Sequence, residues 1–103
     1  MELHIFARFH AAPGNEARMA GVLRAQTAAA RLEPGCLFIQ ACSSRRDPAQ
    51  FFLFSRWVDE PAFQVHADLP RTDQFIATME SLSDDPVDVN RTRPVDAGDP
   101  APR

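Results

Sequence analysis

At 103 residues and 45% hydrophobic content, the chain fits one domain with one core, a size that buries only about 60–70% of its unfolded surface. Its 11 basic residues, all arginine, and 14 acidic ones are scattered; the net charge of −3 leaves no basic patch of the kind nucleic acid requires. With neither lysine nor tyrosine present, side-chain amine nucleophiles, Schiff bases and tyrosyl acid–base roles are excluded.

The opening "MELHIFARFH" lacks a basic segment followed by an apolar stretch, and no apolar run approaches the ~20 residues that cross a bilayer. The expectation is a soluble cytoplasmic protein with no membrane partner.

Residues 2 to 10 alternate as a strand does, with Leu3, Ile5, Ala7 and Phe9 on one face and His4, Phe6, Arg8 and His10 on the other. "AAPGN" breaks the strand. Residues 15 to 32 then read as an alanine-rich helix with Asn15 at its N-cap, Pro34-Gly35 just beyond its end, and an inward stripe of Met19, Val22, Leu23 and Ala30. Gln26 and Thr27 interrupt that stripe. A polar side chain there needs a partner, so both are candidates for lining a pocket, with a solvent-facing Gln26 as the alternative.

"CLFIQAC" (36 to 42) and "QFFLFSRW" (50 to 57) are strand-like, and the polar, proline-containing "SSRRDPA" between them suits a hairpin loop. Cys36 and Cys42 in an extended segment stand about 20 Å apart, too far to pair, so both are expected to be reduced and mostly buried. Asp59 is placed to cap a short helix carrying Ala62, Phe63, His66 and Ala67 inward until Pro70 interrupts it. Residues 72 to 82 form a second helix through Phe75, Ile76, Met79 and Leu82, and "VDVNRT" (87 to 92) is a last, weakly alternating strand. The segment from residue 93 to 103, rich in proline, glycine and charge, is expected to be a flexible tail behind a domain spanning 1 to 92.

The order β-α-β-β-α-α-β predicts an α+β fold of ferredoxin-like topology, a four-stranded antiparallel sheet covered by helices on one face. The strand at 50 to 57 is apolar on both faces, with Phe51, Leu53 and Trp57 on one and Phe52 and Phe54 on the other. One helical layer cannot hide both. The second face is therefore expected to meet the same sheet of another copy in a homodimer.

Several side chains carry possible chemistry. His66 faces inward, where an imidazole serves as base or hydrogen-bond donor, or as a core residue satisfied by a backbone carbonyl. Trp57 could stack on an aromatic ligand or simply fill core volume, and Phe63 and Phe75 could wall the same pocket or belong to the core. His4, Arg8 and His10 could reach a pocket or lie at a dimer edge. No metal site is expected, because no Cys/His cluster has ligand-like spacing. The glycines form no phosphate loop, and no serine sits in a nucleophile elbow.

Three stretches, "PGNEARMAGVLRAQTAAARLEPGCLF", "FFLFSRWVDEPAFQVHADLP" and "FIATMESL", together resemble the antibiotic biosynthesis monooxygenase-like family of small dimeric α/β-barrel proteins, over roughly residues 3 to 92. The most specific part is a strand ending in an aromatic, an acidic turn, and a helical histidine nine positions after that aromatic, Trp57 to His66. The resemblance implies a ferredoxin-like subunit, a dimer formed through the sheets, and a pocket between sheet and helices. Some members oxidise quinols or polycyclic aromatics with dioxygen and no added cofactor; others degrade haem or isomerise a phosphorylated sugar-derived signal. Ser55 stands where the family commonly has glutamate. Arg71 and Thr27 replace two histidines of the isomerase branch, and no asparagine on the first strand or histidine at 67 to 82 supports the haem branch.

The resemblance thus points to a cofactor-independent monooxygenase acting on a quinol or other phenolic or polycyclic aromatic. His66 would be its catalytic residue, and Trp57, Phe63, Thr27, Gln26, Phe75 and Arg8 its substrate-binding residues. A non-catalytic small-molecule-binding or stress-response dimer is the alternative, and a phosphosugar isomerase using Arg71 or Arg8 is a narrower one.

Overall fold

The computed structural model describes residues 1–96. The expected flexible tail thus falls, for residues 97–103, outside the described residues. The chain runs β1 (Leu3–His10), α1 (Glu16–Ala30), β2 (Cys36–Ser43), β3 (Gln50–Trp57), α2 (Glu60–Ala67), α3 (Pro70–Leu82) and β4 (Asp88–Thr92). The four strands form one antiparallel sheet in the order β2-β3-β1-β4, the ferredoxin-like arrangement that the element order predicts.

Register follows from which face is covered. Leu3 pairs with Trp57, Ile5 with Ser55, Ala7 with Leu53 and Phe9 with Phe51, so the alternate residues of β1 and β3 that face the helices lie opposite one another. Two apolar clusters fill the space beneath the helices. Ala7, Phe9 and Phe51 meet Met19 and Leu23 of α1 and Phe75, Met79 and Leu82 of α3, while Leu3, Ile5 and Trp57 meet Phe63 of α2. Burying each large side chain contributes about 1.5–3 kcal/mol, so these clusters fix both the register and the helix positions.

Local signals act as the sequence suggests, with some differences. Asp59 caps α2 through its Oδ1, which accepts the Ala62 amide at 2.9 Å. Pro70 does more than interrupt α2: it opens α3, where its lack of an N–H costs nothing. Asn15 occupies the N-cap of α1 but caps nothing with its side chain, which instead donates to the Leu82 carbonyl at 3.3 Å and ties the start of α1 to the end of α3.

Other expectations are corrected. The buried stripe of α1 is Met19, Leu23, Gln26, Thr27 and Ala30, with Val22 half-buried, because the helix faces α3 as well as the sheet. Gln26 is not solvent-facing. Cys36 is half-buried and Cys42 exposed, both free, because a register shift between Cys36 and Phe38 sets Cys36 opposite Trp57 while Cys42 falls on the uncovered side opposite Phe52.

That uncovered side is the strongest feature of the surface. Phe6 (51%), Phe38 (41%) and Phe52 (40%) are exposed there, packed around the half-buried Phe54, with Phe6 and Phe54 rings 4.9 Å apart. Among the described residues, no helix covers this face. Among the described residues, no helix is long and apolar enough to cross a membrane.

Candidate functional site

His66 is positioned by three elements. As part of α2 it turns inward at helical spacing from Phe63, and its ring stacks on the Trp57 indole at 4.7 Å with the planes inclined by 34°. Phe63 completes the group, its centroid 5.6 Å from both rings. Trp57 is fully buried and His66 is 7% exposed.

The partner of His66 comes from the turn between α1 and β2. Glu33 Oε1 lies 2.7 Å from His66 Nδ1, and the other oxygen, Oε2, accepts from Arg71 Nη2. Gly35 makes this possible. Its φ of +85° lies in the left-handed region, and a Cβ there would stand 2.6 Å from Ala62 Cβ, so only glycine lets the turn press against α2. A neutral ring that gives its Nδ1 proton to Glu33 keeps Nε2 as its acceptor, and Nε2 has no hydrogen-bond partner among the described residues. A carboxylate orienting an imidazole is the arrangement general bases use.

Serine at position 55 has a local consequence. The Trp57 indole N–H donates to Ser55 Oγ at 3.0 Å, two residues back on the same strand face, so the buried indole is satisfied within β3. Burial pushes the Cys36 thiol upward, and nearby Glu33 adds to the effect, which keeps it protonated and unreactive.

Next to this group lies a cavity of about 420 Å³ between α2, α3 and β4, walled by Phe63, Ala67, Ile76, Val87 and Val89. Thr72, Asp73, Glu80 and Arg91 supply its polar lining. The Arg91 guanidinium sits 4.9 Å above the Phe63 ring and is held by Glu60 at 2.9 Å. The Thr72 hydroxyl is buried without a partner among the described residues.

The residues singled out in the sequence are thus distributed over three places. Trp57, Phe63 and His66 come together as one aromatic group. Gln26 and Phe75 instead line a groove between α1 and α3, with Arg71. Thr27 is buried, its hydroxyl donating to the Arg24 carbonyl at 3.0 Å. Arg8 lies on the uncovered face of the sheet, 3.6 Å from Asp88, beside a depression lined by Phe6, Phe52 and Phe54. Glu33 was not foreseen. It stands 33 residues from His66 in a proline-glycine turn, and no spacing rule connects the two.

At the far end of the sheet, His10 bonds two carboxylates, Asp84 Oδ1 from Nδ1 at 2.7 Å and Asp47 Oδ2 from Nε2 at 2.8 Å. Asp85 is close by. Two donor nitrogens require the charged ring, and these bonds, Asp84's first and then Asp47's, raise the His10 pKa above the ordinary histidine value.

Residues 3–78 match the antibiotic biosynthesis monooxygenase family. The chain belongs to that family. Among solved structures, it is similar to Rv0793 from Mycobacterium tuberculosis at 25% identity and TM-score 0.85, over 93% of this chain and 97% of that one. PA3566 from Pseudomonas aeruginosa is 28% identical, with TM-score 0.81 over 91% and 94% of the two chains. SnoaB, a cofactor-independent oxygenase from Streptomyces nogalater, superposes with TM-score 0.81 over 91% and 93% at 18% identity, a likeness of fold. No curated protein matches the chain. This antibiotic biosynthesis monooxygenase-family chain therefore keeps the family's fold, with the His66–Glu33–Arg71 group set beneath one end of its sheet.

Proposed function

We propose that the chain is a cofactor-independent monooxygenase of a quinol or another phenolic or polycyclic aromatic, acting as a homodimer. The observation that carries this reading is the carboxylate-bound imidazole of His66, stacked on Trp57 and on Phe63, which in turn walls a cavity of about 420 Å³ lined by both apolar and charged side chains. An apolar cavity of about 150 Å³ takes benzene, so this volume suits two or three fused rings.

The chemistry asks little of the protein beyond binding and one proton transfer. His66 Nε2 takes the phenolic proton, a contribution of roughly 10²–10⁴-fold when positioned, while Glu33 holds the ring and faces the imidazolium that forms. The electron-rich anion then reduces dioxygen: one oxygen atom becomes a ring carbonyl and the other leaves as water, with the single hydrogen of the oxidised ring carbon and the phenolic proton returned by His66. Phe63 borders both His66 and the cavity, and on this reading it is the ring that moves when substrate reaches the imidazole. Oxygen uptake with quinols and anthrones, lost in His66→Ala, is the expected outcome; uptake indifferent to that change, or none at all, overturns the reading.

The uncovered sheet face supports the dimer, since four phenylalanines on one face exceed what a monomer ordinarily leaves to water. Light scattering at micromolar concentration is expected to give twice the chain mass, and Phe52→Arg to halve it.

A non-catalytic ligand-binding dimer is favoured by one observation: Trp57 is sealed and its N–H already bonded to Ser55, as in a core residue. A bound but unconverted aromatic at about 100 times its Kd would add about 2.7 kcal/mol of stability, seen as a thermal shift without oxygen uptake.

A further inference from the structure

The groove between α1 and α3 lies outside the His66 cavity and contains a polar group that the fold leaves unpaired. Gln26, on the inner side of α1, is 95% buried, yet its carboxamide makes no hydrogen bond among the described residues. Among the described residues the Thr72 hydroxyl is the one sealed side-chain group left without a partner, so the Gln26 amide opens onto the groove it lines and is free to bond a ligand there. The space that Gln26 borders is a groove of about 250 Å³, shared with Val22 of α1 and with Arg71, Gln74, Phe75 and Thr78 of α3.

The four α3 residues stand at positions i, i+3, i+4 and i+7, one helical face, and three of them are hydrogen-bond donors. Arg71 gives only its Nη2 to Glu33; its Nη1 and Nε have no partner among the described residues. Phe75 and Val22 provide an apolar wall.

We propose that this groove binds a small aromatic carboxylate. The carboxylate takes charge-assisted hydrogen bonds from the free side of the Arg71 guanidinium and from the Gln26 amide, and the ring lies against Phe75 and Val22. The volume suits one substituted ring and is too small for the polycyclic substrates of the other cavity. Because Arg71 also holds Glu33, and Glu33 holds His66, occupancy of the groove reaches the imidazole through two bonds, making the ligand an effector of that site. The site does not depend on the oxygenase reading, since its parts exist whether or not His66 is catalytic.

The test is a titration of the full chain with benzoate, followed by two-dimensional ¹H–¹⁵N NMR, with benzyl alcohol as the uncharged control. Saturable shifts are expected in the amides of residues 22 to 26 and 71 to 78 and in the His66 ring, with a Kd on the order of millimolar, as suits a ligand of this size. Arg71→Met and Gln26→Leu should each weaken binding about tenfold or more, and benzyl alcohol should bind far more weakly than benzoate. Shifts centred on Phe63 and Val89 instead, equal affinity for the two probes, or affinity unchanged in both variants would each overturn the proposal. The first two outcomes are read on the unaltered chain, so a variant that fails to fold does not rescue it.

Discussion

The two ends of the central strand carry histidines in opposite circumstances. Near Leu3, His66 is buried over an aromatic floor with one carboxylate on one nitrogen and the other nitrogen free of partners among the described residues. Near its own end of β1, His10 lies at the rim with a carboxylate on each nitrogen. A ring with both nitrogens engaged is a fastener, joining the β2–β3 loop through Asp47 to the α3–β4 loop through Asp84. A ring with one nitrogen engaged is oriented and still able to exchange a proton. On the proposed reading, the number of carboxylates separates structure from chemistry more clearly than residue type does.

The largest effect is expected at the buried end. Trp57→Ala should cost about 3–5 kcal/mol, measured as a fall in the denaturant midpoint, because it removes the floor that His66 and Phe63 share. Next, Gly35→Ala puts a Cβ on a left-handed residue and into Ala62, and should cost about 1–3 kcal/mol while separating the Glu33 turn from α2. If Gly35→Ala proves neutral by thermal unfolding, the turn is not what holds Glu33.

Glu33→Gln sharpens the comparison further. It keeps the shape but removes the charge opposite Nδ1, and should lower turnover about tenfold or more with a smaller change in KM, while ¹⁵N shifts show His66 losing its single tautomer. A tautomer unchanged in this variant would break the analogy with an oriented base.

The smallest effect belongs to His10. Its raised pKa means that its contribution to stability is fully present below the unfolded histidine value of 6.5 and fades as pH rises through the higher folded value. Asp47 has the opposite sign. Its pKa is lowered first by the Ala49 amide and then by His10, so its share is lost as pH falls through its folded value, below 3.8. The stability difference between the native chain and His10→Asn should therefore be greatest in mildly acidic solution and vanish at alkaline pH, as thermal midpoints across pH would show. A constant difference would mean that the ring acts by packing alone.

Much of this was legible before any coordinates. The alternation of β1, the Asp59 cap and the inward Phe63–His66 face are local patterns, and local geometry decides them. The two-sided apolar character of β3 was legible too, and it is what marks the uncovered face. What could not be read depends on contacts between distant segments. Glu33 meets His66 only because Gly35 admits α2, Gln26 is separated from Trp57 by the way α1 and α3 pack, and Arg8 faces away from His66 by the parity of β1. Sequence shows which residues are unusual for their positions; packing decides which of them become neighbours.

The chain holds a single tryptophan, and it is the residue beneath His66. Its emission is therefore an intrinsic gauge of one location. Protonation of the overlying imidazole, rotation of Phe63 or arrival of an aromatic guest would each alter that signal, so events at the candidate centre can be followed optically with no added label.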